Sequence, residues 1–317
     1  MDEKKKTVII MEKNRMLQAV AVQPSKVLNW LYALFIPFFM QFILFVGSFV
    51  GVIILGILFG ISEALLLVNS SEGTFDVLDP LFLQLLVFAF PSALIMLWVR
   101  FGEKRPISGL GFYQKGAVKE LAKGLGVGIF LISVVVFLQY ITGSIRLTSI
   151  QFSVATVLNF LLIFPFWFIQ SGTEELSTRG WVFPVVSRKT NLPIGLATSS
   201  ILFALLHLRN PSVNGIALVN IALFGLFACL YVLKTDNIWG VSAIHAAWNC
   251  FQGTVYGLHV SGLEIRYSLM NFAPTVKAPS YLSGGDFGAE GSTIASIVLA
   301  IGCLYLAWDL YRSKKEA

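Results

Sequence analysis

Long apolar runs alternate along the chain with short breaks that are basic, polar or rich in Gly and Pro. A helix that crosses a bilayer needs about 20 predominantly apolar residues. Eight runs approach that length: 32–59, 81–99, 124–141, 154–186, 194–208, 216–233, 238–259 and 294–310. The fourth is too long for an upright helix and must tilt, kink or protrude, and Pro165 offers a kink; the fifth is short. The pattern predicts an all-α, polytopic membrane protein with about eight transmembrane helices enclosing a polar intramembrane cavity. It divides into an N-terminal segment (1–31), three spans with an interfacial loop (32–153), a core of spans four to seven (154–260), an external loop (261–293) and a last span with a basic tail (294–317). Lys115, Lys119 and Lys123 suit a short interfacial helix before the third span, and a solvated loop accounts for them equally well. The segment 261–293, with its Gly and Pro residues, is expected to be irregular.

Composition supports the pattern. Of the 317 residues 56% are hydrophobic and 13% charged, against roughly 25% charged in an average soluble protein. The net charge of +6 then points to basic loops on an anionic leaflet, with no nucleic-acid partner. Cys229, Cys250 and Cys303 lie in apolar stretches without metal or redox spacing and read as small core residues. The first apolar run follows about thirty mostly polar residues and is too long for a signal-peptide core. Of the 23 Lys and Arg residues, 19 fall on one side of the spans; Arg146, Arg209, Arg266 and Lys277 fall on the other. Both termini are therefore expected in the cytoplasm.

Ionisable groups in hydrocarbon are costly and carry a functional hypothesis each. In span four, Glu174 and Glu175 precede Arg179. Glu175 and Arg179 are four apart with the acid first, the favourable order for an ion pair, while Glu174 points roughly 100° away and shares a polar stripe with Gln170, Ser171, Ser177 and Thr178. The plain alternative is that both acids only anchor Arg179, which leaves one of them unexplained. Span five carries Phe203 and His207; a lone histidine is more often a satisfied core residue. Span seven carries His245 and Asn249 on a seam with Ser242, Gln252, Tyr256 and His259, where a packing seam is the alternative. Asn220, near Gly225 in span six, reads as helix packing. From Glu174 to the turn at 188–193, and from that turn to His207, is 14 residues each way, or about 21 Å at 1.5 Å per residue. His245 and Asn249 lie about 12 and 18 Å beyond the next turn on that side. Four groups on three helices thus fall in overlapping layers.

Glu-Glu-x-x-x-Arg, then Phe-x-x-x-His, then His-x-x-x-Asn, in this order on membrane helices, resembles the CPBP family: the type II CaaX prenyl endopeptidases and bacterial proteins of bacteriocin processing and self-immunity. The resemblance runs from about Val154 to His259, with weaker similarity over 108–128. It implies an intramembrane glutamic protease of the bacterial cell membrane. Glu174 would be the catalytic glutamate, Glu175 and Arg179 its supporting pair, His207 a holder of the attacking water, and His245 and Asn249 the oxyanion donors. Thr178 stands where the family commonly has an aromatic residue. The family's CaaX enzymes act on cytosolic substrates.

The chemistry stands beside the resemblance. Peptide hydrolysis needs a base for water, donors for the developing oxyanion and a proton for the leaving amine; within a membrane it also needs a hydrophilic cavity. The expected partner is a membrane-associated or lipidated protein or peptide, with no cofactor. Three rivals remain. A zinc protease would take Glu174, His207 and His245 as ligands with water as the fourth, although no HExxH is present. A non-proteolytic scaffold, regulator or immunity protein would keep the polar core for folding. A proton-relaying transporter lacks the expected inverted repeat.

Overall fold

The computed structural model describes residues 11–66 and 80–312. It is an all-α membrane protein. Helix α1 (Lys26–Leu66), with Pro37 inside it, is followed by α2 (Pro80–Val87) and α3 (Ala89–Leu97), the latter continued by a π turn Trp98–Gly102. Then come α4 (Ala117–Ile141), α5 (Val154–Glu175), a π-helical stretch Leu176–Val182, α6 (Phe183–Lys189) and α7 (Leu192–Leu206). The last are α8 (Gly215–Thr235), α9 (Ile238–Cys250) with a π turn Phe251–Val255, and α10 (Thr293–Arg312).

Six helical stretches among the described residues are long and apolar enough to cross a membrane: Lys26–Gly60, Leu81–Gly102, Ala117–Ile141, Val154–Lys189, Gly215–Thr235 and Thr293–Arg312. The two remaining runs differ. Helix α7 has 15 residues, short of the ~20 that span the hydrocarbon. Helix α9 is too polar and too short to be counted with the six. The lipid-facing character is direct: on α1, Leu34, Phe38 and Phe45 are 66%, 69% and 71% exposed, a pattern that water would not tolerate over a whole face.

The core helices begin where the sequence provides caps. Ser153 and Thr156 form a capping box at α5. Asn191, Asn214 and Asn237 each accept a backbone N–H at the start of α7, α8 and α9, replacing partners that the first turn lacks. Helix α9 is then drawn tightly onto α4. A Cβ on Gly124 would lie 2.1 Å from the Gly240 carbonyl oxygen, and one on Gly128 would lie 2.3 Å from that of Ile244. This small-xxx-small face lets the backbones touch and fixes the height of His245 between α4 and α5. All three cysteines are free and buried.

Three expectations need correction. No separate interfacial helix precedes the third span: Lys119 and Lys123 occupy the first turns of α4 itself. The seventh run stops being helical at Val255, so His259 lies beyond it. The loop 261–293 is more ordered than Gly and Pro suggested. Its strand β2 (Met270–Pro274) pairs antiparallel with β1 (Ile145–Ile150), and its remainder folds into short turns against α4 and α8. Gln139 Nε2 donates to the Leu282 and Ser283 carbonyls, and Asn220 Nδ2 to those of Glu290 and Ser292, at 2.7 Å each. Asn220 is thus the packing residue its position suggested.

Candidate active site

The helix-to-π junction of α5 presents two adjacent carboxylates to different surroundings. Glu175 is fully buried and its Oε1 takes two partners: Arg179 Nη1 at 3.2 Å and His245 Nδ1 at 2.9 Å. Arg179, also fully buried, donates to Thr178 Oγ1 at 2.7 Å. Its guanidinium lies over the Phe203 ring with Cζ 4.1 Å from the centroid, a cation–π contact of the kind that gains strength in a dry site. Phe203 also meets both histidine rings edge-on, at 4.9 Å for His207 and 5.8 Å for His245. The phenylalanine of Phe-x-x-x-His is therefore the floor on which three cationic or polar rings are set. Thr178 donates in turn to the Glu174 carbonyl, so the residue that departs from the family pattern is wired into the same layer.

Glu174 faces the other way, into a cavity of about 300 Å³ that it shares with Gln170, His207, His245 and Asn249. Its Oε1 accepts from Gln170 Nε2 at 2.6 Å. Its Oε2 is buried without a hydrogen-bond partner and lies 3.8 Å from His245 Nε2 and 4.0 Å from His207 Nε2. Those separations exceed a hydrogen bond. The tautomers follow from the other ring nitrogens. His207 Nδ1 is 2.8 Å from the Phe203 carbonyl oxygen, which can only accept, so Nδ1 carries the hydrogen. His245 Nδ1 meets the Glu175 carboxylate in the same sense. Asn249 Nδ2 donates to Gln170 Oε1 and Ser171 Oγ, both at 3.2 Å. A chain of amides thus runs from Asn249 through Gln170 to Glu174.

The structure brings Glu174, Glu175, Arg179, His207, His245 and Asn249 together. The rest of the α9 seam does structural work: Gln252 Nε2 donates to the His259 carbonyl at 2.6 Å, Tyr256 Oη shares a hydrogen with Ser133 Oγ at 2.7 Å, and His259 Nδ1 donates to the Asp286 carbonyl at 2.8 Å. One carboxylate was missed. Glu290, from the loop before α10, is buried beside a small cavity of about 20 Å³ that His207, His245 and Asn249 also line. Its Oε1 accepts from the Ser261 backbone N–H and from Ser261 Oγ at 2.8 Å. Burial pushes its carboxyl above the ordinary range, against the pull of the Ser261 hydrogen bonds and the nearby histidines. The only hint in the sequence was an acid three residues before a spanning run. Among the described residues, no cluster of three or more His, Cys, Asp or Glu side chains has the grouping of a metal site.

This geometry lies within 156–251, just under a third of the chain, which matches the family described as type II CAAX prenyl endopeptidase Rce1-like. The segment is Rce1-like. The match agrees with the resemblance carried by the three motifs and, at the level of the family, supports an intramembrane protease of the CAAX type in an integral, multi-pass membrane protein. No curated protein and no solved structure matches the chain.

Proposed function

We propose that this protein is an intramembrane endopeptidase that hydrolyses a peptide bond of a membrane-associated or lipidated polypeptide, in a polar cavity enclosed by eight membrane-crossing helices. One observation carries the reading: the unpartnered Oε2 of Glu174 stands 3.8 and 4.0 Å from two histidine Nε2 atoms, while the adjacent Glu175 is engaged on its own Oε1 by Arg179 and His245. A water set between Glu174 and His207 can donate one hydrogen to each, because His207 Nε2 is an acceptor when Nδ1–H is committed to Phe203. Glu174 takes the proton as the water oxygen bonds to the carbonyl carbon, and returns it to the amine nitrogen as the C–N bond breaks. His245 lies between two carboxylates, which favour its doubly protonated form; in that form Nε2–H donates to the oxyanion while Nδ1–H stays on Glu175. Asn249 turns one N–H from the Gln170–Ser171 pair toward the same oxygen. The site needs no cofactor in this mechanism.

The zinc alternative would use Glu174, His207 and His245. Ligand atoms about 2.0–2.1 Å from a tetrahedral zinc sit about 3.4 Å apart, and the separations here are wider. Metal analysis decides between the two mechanisms without touching the protease assignment. The protease assignment itself is tested by comparing the N-terminal peptides of membranes that carry wild type or Glu174→Gln. An uncut precursor that accumulates in the variant at equal protein level supports it. Identical peptide sets at equal level would leave a scaffold or regulator.

A further inference from the structure

The site has one sealed end and one open end, and the charge of the loops says which side of the membrane each faces. Every residue from Glu175 to Ser187 is buried, about 20 Å of helix at 1.5 Å per residue with no route for a substrate. This plug leads from the carboxylates toward the basic loops. It is locked there by the segment between α3 and α4. A Cβ on Gly180 would lie 3.1 Å from the Leu110 carbonyl oxygen. Trp181 Nε1 donates to Glu103 Oε1 at 2.8 Å, which also accepts from Tyr32 Oη at 2.8 Å, and Arg105 pairs with the same carboxylate. Burial and the Glu103 charge push the Tyr113 side of this face no closer to opening: its ring is stacked under Arg15 at 3.7 Å.

The opposite end is built differently. The cavity holding Glu174 is bounded by Asn210, Val260, Ser261 and Leu263, all from the two loops on the side that carries only four basic residues. These loops brace one another: Asn210 Nδ2 donates to the Ser261 carbonyl at 3.1 Å, and Glu290 holds the Ser261 backbone and hydroxyl. Leu263 at the rim is 41% exposed. One flank is apolar, made by Leu44 of α1 and Leu81, Leu85 and Phe88 from α2 and its end.

Resting on the protease reading above, we propose that the active site is entered from the extracytoplasmic side, and that its substrates are polypeptide segments just outside the membrane, at the external end of a membrane anchor. The anchor's apolar residues would lie along the Leu44–Leu85–Phe88 flank and the scissile bond beside Glu174. This departs from the cytosolic substrates that the family resemblance implies. Lys and Arg are kept on the cytoplasmic side during insertion, and here they lie behind the plug.

Sidedness is read with single cysteines in the full-length protein in intact bacterial cells, using a membrane-impermeant maleimide; the three native cysteines are buried and are retained. Val276, 98% exposed in the loop, reports that loop's side; Leu263 reports the cavity mouth; Lys115 reports the basic face. The expected result is labelling of Val276→Cys and Leu263→Cys in intact cells and of Lys115→Cys only after permeabilisation. Val276→Cys labelled only after permeabilisation would invert the orientation and overturn the proposal. Leu263→Cys unlabelled from outside while Val276→Cys is labelled would overturn the open mouth. Labelling does not depend on hydrolysis, so the two readings fail separately. Cleavages lost in Glu174→Gln that fall in cytoplasmic sequence would overturn this proposal and leave the protease intact; no cleavage lost at all would remove the protease and leave the topology.

Discussion

The two halves of the site differ in how completely their charges are used. Around Glu175, a carboxylate, a guanidinium and an imidazole are locked together in a dry layer, with Arg179 and Glu175 both fully buried. Around Glu174, one oxygen is fixed by Gln170 and the other faces two histidines across nearly 4 Å. The sequence places these acids side by side, and the helix turns them apart by about 100°. A membrane enzyme needs both kinds of environment. The locked half holds the geometry against a medium that penalises bare charge, and the open half keeps a base available for chemistry.

The sharpest break of this comparison is Glu174→Gln. It should lower cleavage by about 10²–10⁴-fold, the usual worth of a general base, with unchanged folded protein by size-exclusion chromatography in detergent. Arg179→Ala should do the reverse and strike folding first, since removing one partner of a buried pair costs about 3–5 kcal/mol; the folded fraction in the membrane should fall whether or not substrate is present. If Glu174→Gln lost folded protein and Arg179→Ala did not, the two halves would have been assigned the wrong way round. Asn249→Ala lies between them. Loss of an oxyanion donor typically costs about 10²–10³-fold in turnover, and the purified wild type should carry no stoichiometric zinc and resist chelators. About one zinc per chain, lost with activity in His245→Ala and restored by added metal, would replace the metal-free mechanism with the zinc one.

The smallest effect is expected at Glu290, whose raised carboxyl sets a definite sign. A raised folded-state value contributes stability below the ordinary carboxyl value of 4.5 and loses it as pH rises through the raised value. Glu290→Gln keeps an acceptor for Ser261 and removes the buried charge. Its melting temperature in detergent should equal that of wild type near pH ~4 and exceed it near pH ~8. A variant less stable than wild type across that range would make the ionised carboxylate a structural requirement.

The central motifs were legible because their spacings are helical and their residue types are expensive in lipid. Glu175 and Arg179, or His245 and Asn249, declare a shared face at four residues apart wherever the surrounding segment is apolar. The contributions of Gln170 and Glu290 were harder to see. Gln170 belonged to a visible stripe, but its link between Asn249 and Glu174 is set by how closely α9 and α5 approach, which depends on Gly124 and Gly128 of a third helix. Glu290 reaches the histidines through a loop that has no periodicity. The β1–β2 ribbon was invisible for a similar reason: Arg146 and Asn271 lie in segments too short and too polar to announce strands, and they pair through long-range backbone contacts.

The π-helical stretch Leu176–Val182 makes the length of this region as constrained as its composition. A π turn amounts to one extra residue accommodated inside an α-helix. Removing a single residue there would wind the segment back toward α geometry and rotate everything after it by roughly 100°, at 3.6 residues per turn. Ser187 would then leave the spot where a Cβ on Gly195 would meet its Oγ at 1.9 Å, and Trp181 would swing away from Glu103. Among related chains a one-residue gap between the arginine and the following turn is therefore a change of shape, and an alignment that places such a gap freely would superimpose side chains that point to opposite sides of the helix.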